Sequence, residues 1–144
     1  MMARWHEAIF PVCEEMNVAY VAFSPLANGI LSGKYTPDTK FEGSQDYRSG
    51  MPQYTKEGYA KAKGLLGLLS RLAEEKHATM GQISLAWMLC KKPYIVPIPG
   101  SRKVERLKEN FGAGSIVLSA AEVADIDAKL DTMNFDVFGG HTAK

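Results

Sequence analysis

The residues best suited to chemistry lie at positions 96–110, VPIPGSRKVERLKEN. An apolar run ends in Pro-Gly-Ser and passes directly into a basic segment with helical spacing. A helix start presents unpaired N–H groups and the positive end of the macrodipole. Gly100 removes a side chain where a phosphate would need close backbone approach. Ser101 can cap the helix or give its hydroxyl to an anion. Arg102 and Lys103 fall in the expected first turn, and Arg106 one turn on. Cations there destabilise an empty helix start, and a bound anion reverses the sign. Residues 101–110 hold four basic and two acidic side chains, a local charge that suits one phosphate better than a polynucleotide. An ordinary capped helix with a solvated basic face accounts for the same residues.

A second candidate is FSPLANGILSGKY, positions 23–35. Phe23 offers a flat face, Ser24 and Asn28 offer hydrogen bonds, and Gly29 and Gly33 let the chain approach a ligand. Phe23 as core filler, with Asn28-Gly29 as a plain turn, fits as well. Both candidates leave the end of an apolar, β-branched run. In parallel α/β folds that end of the strands is where ligands bind. Two sites on one face of a sheet can hold two parts of one extended ligand. The chain shows no Cys/His spacing for a metal and no G-x-S-x-G nucleophile signature.

The elements that must position these residues follow from periodicity. Trp5, Ala8, Ile9, Val12, Cys13 and Met16 recur at helical spacing and predict a helix over about 3–16. VAYVAFSP (18–25) and YIVPIP (94–99) read as short strands, apolar on both faces, of the kind found in parallel sheets. Residues 26–53 form a long, weakly patterned loop rich in Gly, Ser and Pro. A helix resumes near Thr55, with Leu65, Leu66, Leu68, Leu69 and Leu72 on its apolar side. Thr79/Gln82 and Ser119/Glu122 have the spacing of capping boxes for two more helices. Lys91 and Lys92 are assigned only to the dipole at a helix C-terminus. The helix over about 102–111 is expected to turn Val104, Leu107 and Phe111 inward, with Gly112 as its C-cap. The tail from Asn134 reads as loose. Helices alternating with two strands imply an α/β fold with right-handed crossovers. Two strands leave two open edges and cannot enclose a core.

The chain has 144 residues, 46% hydrophobic and 23% charged, with a formal net charge of +1. Such a balance argues against a general nucleic-acid binder or a polybasic membrane surface. No apolar run is long enough to span a bilayer and no signal-peptide layout opens the chain. Cys13 and Cys90 sit inside apolar helix patterns and read as buried thiols, which suits a reducing compartment. The cytoplasm is the expected location.

Together, VAYVAFSPLANGILSGKY and, some seventy residues later, IVPIPGSRKVERLKENFGA resemble the C-terminal half of an aldo-keto reductase. QISLAWML and VLSAAEVADID add to the likeness, which runs over about 5–131. The resemblance implies a partial (β/α)8 TIM barrel, an α/β fold with about two parallel strands in this portion, and NADPH as cofactor. By motif, Phe23 would stack on the nicotinamide, and Ser24, Pro25, Leu26, Ala27 and Asn28 would line the pyrophosphate path. Lys34 would approach the phosphates, and Arg48 would reach the cofactor. Gly100, Ser101, Arg102, Lys103 and Arg106 would hold the adenosine 2′-phosphate, while Glu109 and Asn110 would bond the adenine edge. The parent reaction would reduce an aldehyde or ketone to an alcohol. The family's catalytic Asp, Tyr, Lys and His come from the first half of the barrel, so no catalytic residue is nominated here. Tyr20, Tyr35, Tyr47, Tyr54, Tyr59 and Tyr94 all lie outside the catalytic motif, as do His6, His77 and His141. The chain is expected to need an N-terminal half to act on a carbonyl. It reads otherwise as a non-catalytic nucleotide-binding or regulatory module, or as an interaction piece that assembles through its bare strand edges.

Overall fold

A computed structural model of the chain describes residues 2, 4–41 and 46–133. The expected loose tail lies outside the described residues. The single N-terminal helix read from the sequence is two pieces: a 3-10 segment, Arg4–Ile9, runs into α1, Phe10–Glu15. Pro11 sits in the first turn of α1, where its missing N–H costs nothing. Phe10 and Cys13 are buried, whereas Ile9, Val12 and Met16 are exposed.

β1 (Tyr20–Ala22) pairs in parallel with β2, Ile95–Pro97. Both strands are shorter than their apolar runs, and Tyr20 faces Ile95, Val21 faces Val96, and Ala22 faces Pro97 across the ladder. Ala22 and Ile95 are buried on the helix-covered face. Val21 and Val96 stand exposed on the other face, as expected of a sheet face with nothing over it.

The crossover between the strands holds α2 (Lys56–Glu75) and α3, Met80–Lys91. Thr55 caps α2 by accepting from Gly58 N–H at 3.0 Å. Leu65, Leu68, Leu69 and Leu72 turn inward from α2, at the spacing that the sequence shows. The Thr79/Gln82 capping box opens α3 and the Ser119/Glu122 box opens α5, Ala120–Asp131, both as read. The core lies between α2, α3, α5 and the sheet, with Ile30, Leu31, Ile83, Leu85 and Ile126 fully buried.

Several expectations require correction. α4 spans Val104–Gly112, so Arg102 precedes it and Lys103 is its cap residue, with no side-chain cap bond. The Ser101 hydroxyl accepts from Lys103 N–H at 3.1 Å, a local turn two residues ahead of the cap position. Val104, Leu107 and Phe111 are not inward: α4 buries no residue, and Phe111 is 88% exposed. Gly112 is the last helical residue rather than the C-cap. A Cβ there would meet the Gln82 amide at 2.7 Å, so close packing explains the glycine. Cys90 is exposed, because it lies in the last turn of α3; Cys13 alone of the two is buried. Lys91 and Lys92 do more than complement a dipole. Lys91 Nζ sits 2.9 Å from both Glu7 and Asp127, and Lys92 pairs with Glu14. Asp127 also accepts from the Trp87 indole N–H at 3.0 Å, tying the N-terminal segment, α3 and α5 together.

Candidate functional site

A cleft of about 760 Å³ opens where both strands end. This is within the range of roughly 300–1,000 Å³ typical of small-molecule and cofactor sites. One wall follows β1 and is built by Ser24, Pro25, Leu26, Asn28 and Lys34. The facing wall follows β2 and carries Gly100, Ser101, Arg106, Glu109 and Asn110. Arg48 closes a third side from the long loop. The two sequence candidates are therefore one site. Four nominated residues do not line it. Phe23 is half-exposed at the end of β1, Ala27 is buried, and Arg102 and Lys103 are exposed ahead of α4.

The β1 wall is strained. Ser24, Ala27 and Asn28 all have positive φ, at 46°, 48° and 59°. Such conformations cost of order 1–3 kcal/mol each and persist only where surroundings enforce them. Here the enforcement is visible. Tyr54 Oη donates to the Asn28 carbonyl at 2.8 Å, and Tyr47 Oη to Asn28 Oδ1 at 3.2 Å. Gly29 (φ 106°) and Gly33 (φ 69°) supply further left-handed turns. A Cβ on them would strike the Tyr35 ring at 2.8 Å and the Met80 sulfur. Both glycines thus admit those side chains, and Gly29 also lines the cleft. Asn28 Nδ2 is buried in the cleft wall without a hydrogen-bond partner.

Arg48 is compensated. Its Nε and Nη2 donate to the two Asp46 carboxylate oxygens at 2.8 and 2.6 Å, and Nη1 donates to Tyr35 Oη at 2.6 Å. The guanidinium lies over the Tyr35 and Phe41 rings. Its hydrogen bonds hold the Asp46 carboxyl below its usual range. Glu109 is also engaged. Thr79 Oγ1 donates to its Oε1 at 2.9 Å, Gln82 Nε2 donates to its carbonyl at 2.8 Å, and Lys34 Nζ lies 3.8 Å from Oε2. The capping box of α3 thus doubles as a brace for the cleft. Sequence showed the box, but not that it reaches Glu109, because that contact joins residues about thirty positions apart.

Arg102, Lys103 and Arg106 differ from these. Among the described residues their side chains form no ion pair and no hydrogen bond. The cleft lining counts Lys34, Arg48 and Arg106 against Asp46 and Glu109, a surplus of one positive charge. A Cβ on Gly100 would meet nothing within 4 Å. Among the described residues no His, Cys, Asp or Glu cluster could hold a metal ion. Among the described residues no helix is long and apolar enough to cross a membrane.

Comparison with known proteins gives one answer. The model of the aldo/keto reductase family matches residues 1–131. The chain is 39% identical over 132 residues to the aldo-keto reductase yakc [NADP(+)] of Schizosaccharomyces pombe, covering 91% of this chain and 38% of that protein. It is 37% identical over 119 residues to the aldo-keto reductase str7 of Strobilurus tenacellus, covering 83% of this chain and 35% of that protein. Among solved structures, the glycerol dehydrogenase AKR11B4 of Gluconobacter oxydans superposes with a TM-score of 0.71 at 26% identity, over 92% of this chain and 40% of the enzyme. The thermostable aldo-keto reductase Tm1743 superposes at 0.57 and 27% identity, over 88% of this chain and 35% of that one. The chain spans little more than a third of the length of these relatives, and its two parallel strands and flanking helices are a portion of their (β/α)8 barrel. By sequence, by motif and by fold, the chain belongs to the aldo/keto reductase family.

Proposed function

We propose that the cleft binds NADPH and that this chain is the cofactor-holding portion of a carbonyl reductase. The observation that carries the reading is the meeting of unpaired Arg106 with open Gly100 and Ser101 across from the strained β1 wall. An empty helix start gains nothing from unpartnered cations; a 2′-phosphate would pair with them. Arg102 and Lys103, exposed beside the cleft, add to the same field. The orphaned Asn28 Nδ2 needs an acceptor, and a pyrophosphate oxygen along residues 24–28 supplies one. Lys34 would exchange part of its contact with Glu109 for phosphate. Arg48, already neutralised by Asp46, shapes the wall rather than offering free charge. Glu109 and Asn110 flank the adenine, and Phe23 offers a face to the nicotinamide.

When bound, the cofactor supplies a hydride to an aldehyde or ketone carbon. The chain's own residues hold and orient it. Four of its tyrosines are poor proton donors to the nascent alkoxide. Burial raises Tyr20, Tyr54 and Tyr59, and burial with the adjacent Glu14 carboxylate pushes Tyr94 up to about 12. A general acid works best with its pKa near the operating pH. None of the six tyrosines lies in the family's catalytic motif, and the chain spans little more than a third of its relatives, so we assign the proton donor and most substrate contacts to βα units outside this chain. Hydrogen exchange tests the placement. NADPH should protect amides of residues 24–34 and 98–110 and leave those of α5 unchanged. Protection elsewhere, or none, contradicts the site.

A further inference from the structure

The long 26–53 segment and the turn after it send two tyrosines to a single residue of the cleft wall. Asn28 has φ 59°, a left-handed conformation that Asn tolerates better than most side chains. Tyr54 Oη donates to its carbonyl at 2.8 Å, which holds the backbone. Tyr47 Oη donates to its Oδ1 at 3.2 Å, which holds the side-chain amide. A primary amide is nearly symmetric in shape, and only its hydrogen bonds decide which end carries oxygen and which carries nitrogen. With Oδ1 at the Tyr47 hydroxyl, the other end is Nδ2, buried in the cleft wall with no acceptor. Tyr47 is itself held in place. It opens a 3-10 turn, Tyr47–Gly50, which Asp46 starts by accepting from Arg48 N–H at 3.1 Å. The Arg48 guanidinium then bonds Tyr35 Oη, and the Tyr35 ring fills the space beside Gly29. The neutralised arginine thus anchors the turn that carries Tyr47 to the stretch of wall that carries Asn28.

We propose that Tyr47 is a positioning residue for the pyrophosphate of the dinucleotide. By taking Oδ1 it keeps the Asn28 amide turned so that its donor end, Nδ2, is the one offered to the anionic oxygens. The inference rests on the NADPH reading of the cleft. Turned the other way, the amide would present its carbonyl oxygen and repel the phosphates. Tyr47 acts through Asn28 and needs no contact with the ligand. It is 67% exposed, so its hydroxyl has little part in the core. The pyrophosphate is common to NADPH and NADH. Tyr47 therefore sets affinity for both alike, whereas Arg106 selects between them.

Calorimetric titration tests the assignment with three ligands: NADPH, NADH and adenosine 2′-monophosphate. The chains are wild type, Tyr47→Phe, Asn28→Gly and the double variant. Glycine at 28 accepts the left-handed backbone and removes only the amide. Asn28→Gly should weaken both dinucleotides about tenfold or more, as expected for one hydrogen bond to a charged group. Tyr47→Phe should weaken both by one common factor, about three- to tenfold. Neither variant should change binding of adenosine 2′-monophosphate, which has no pyrophosphate; a distorted cleft would weaken all three ligands. Because Tyr47 acts through the amide, Tyr47→Phe should cost nothing further in the Asn28→Gly chain. Four results would overturn the proposal and leave the NADPH reading in place: wild-type affinity in Tyr47→Phe, a loss confined to one dinucleotide, a loss shared by adenosine 2′-monophosphate, or additive losses in the double variant. A wild-type chain that binds neither dinucleotide removes the NADPH reading itself, and the proposal with it.

Discussion

At the scale of single residues, the cofactor reading turns on charges that have no other use. Lys34 and Arg48 already have carboxylate partners, and Arg106 has none. Replacing Arg106 by Ala should therefore cost binding rather than folding. A charge-assisted contact contributes roughly 1.5–3 kcal/mol, which is about a 10- to 100-fold loss in affinity. The loss should fall on NADPH and spare NADH, as titration of Arg106→Ala with both nucleotides would show. Equal losses would remove the 2′-phosphate assignment. Sequence made Arg106, Ser101 and Gly100 legible because charge, hydroxyl and missing side chain are visible in letters. It could not show that Arg48 is neutralised, since Asp46 becomes its partner only through the local turn that follows it, and Tyr35 reaches the guanidinium from thirteen positions away. Nor could it show the positive φ of Ser24 and Ala27, which are not residue types that favour it.

At the scale of elements, two capping boxes offer a controlled comparison. Thr79 and Ser119 both cap helices, but only Thr79 also bonds Glu109 in the cleft. Thr79→Ala and Ser119→Ala should each cost about 1 kcal/mol of stability in denaturant titration. Only Thr79→Ala should also weaken NADPH binding. Equal effects on binding would detach the α3 cap from the site. Glu122 gives a pH test of the second box. Lys76 and the Ser119 N–H hold its carboxyl below the usual glutamate value of 4.5. Its folded pKa is thus below its unfolded one. The carboxylate stabilises the fold above 4.5, and that contribution is lost as pH falls further through the folded value. Glu122→Gln should lower stability at neutral pH and flatten its decline below pH 4.5; an unchanged acid limb would contradict the pairing. The boxes were legible because a capping motif is local. α4 was misread for the complementary reason: the period of Val104, Leu107 and Phe111 says that a face seeks burial, not that this chain supplies the cover.

At the scale of the whole molecule, two strands with an open inner face place a cleft without completing a catalytic centre. The purified chain should give no saturable NADPH oxidation with aldehydes or ketones. Turnover abolished by replacing one of its own tyrosines would contradict that assignment. The alternation of helix and strand made the barrel portion legible in sequence, and the long 26–53 segment hid its architecture because its short turns lack periodicity. What joined the two motifs into one site was the parallel pairing of Tyr20–Ala22 with Ile95–Pro97, a contact between residues about seventy-five positions apart. The most direct test is calorimetric titration of the wild-type chain with NADPH and with NADH under the same conditions. Saturable NADPH binding is expected at one site per chain, at least about tenfold tighter than NADH for a single charge-assisted phosphate contact. Equal affinity for the two, or no binding of either, would contradict it.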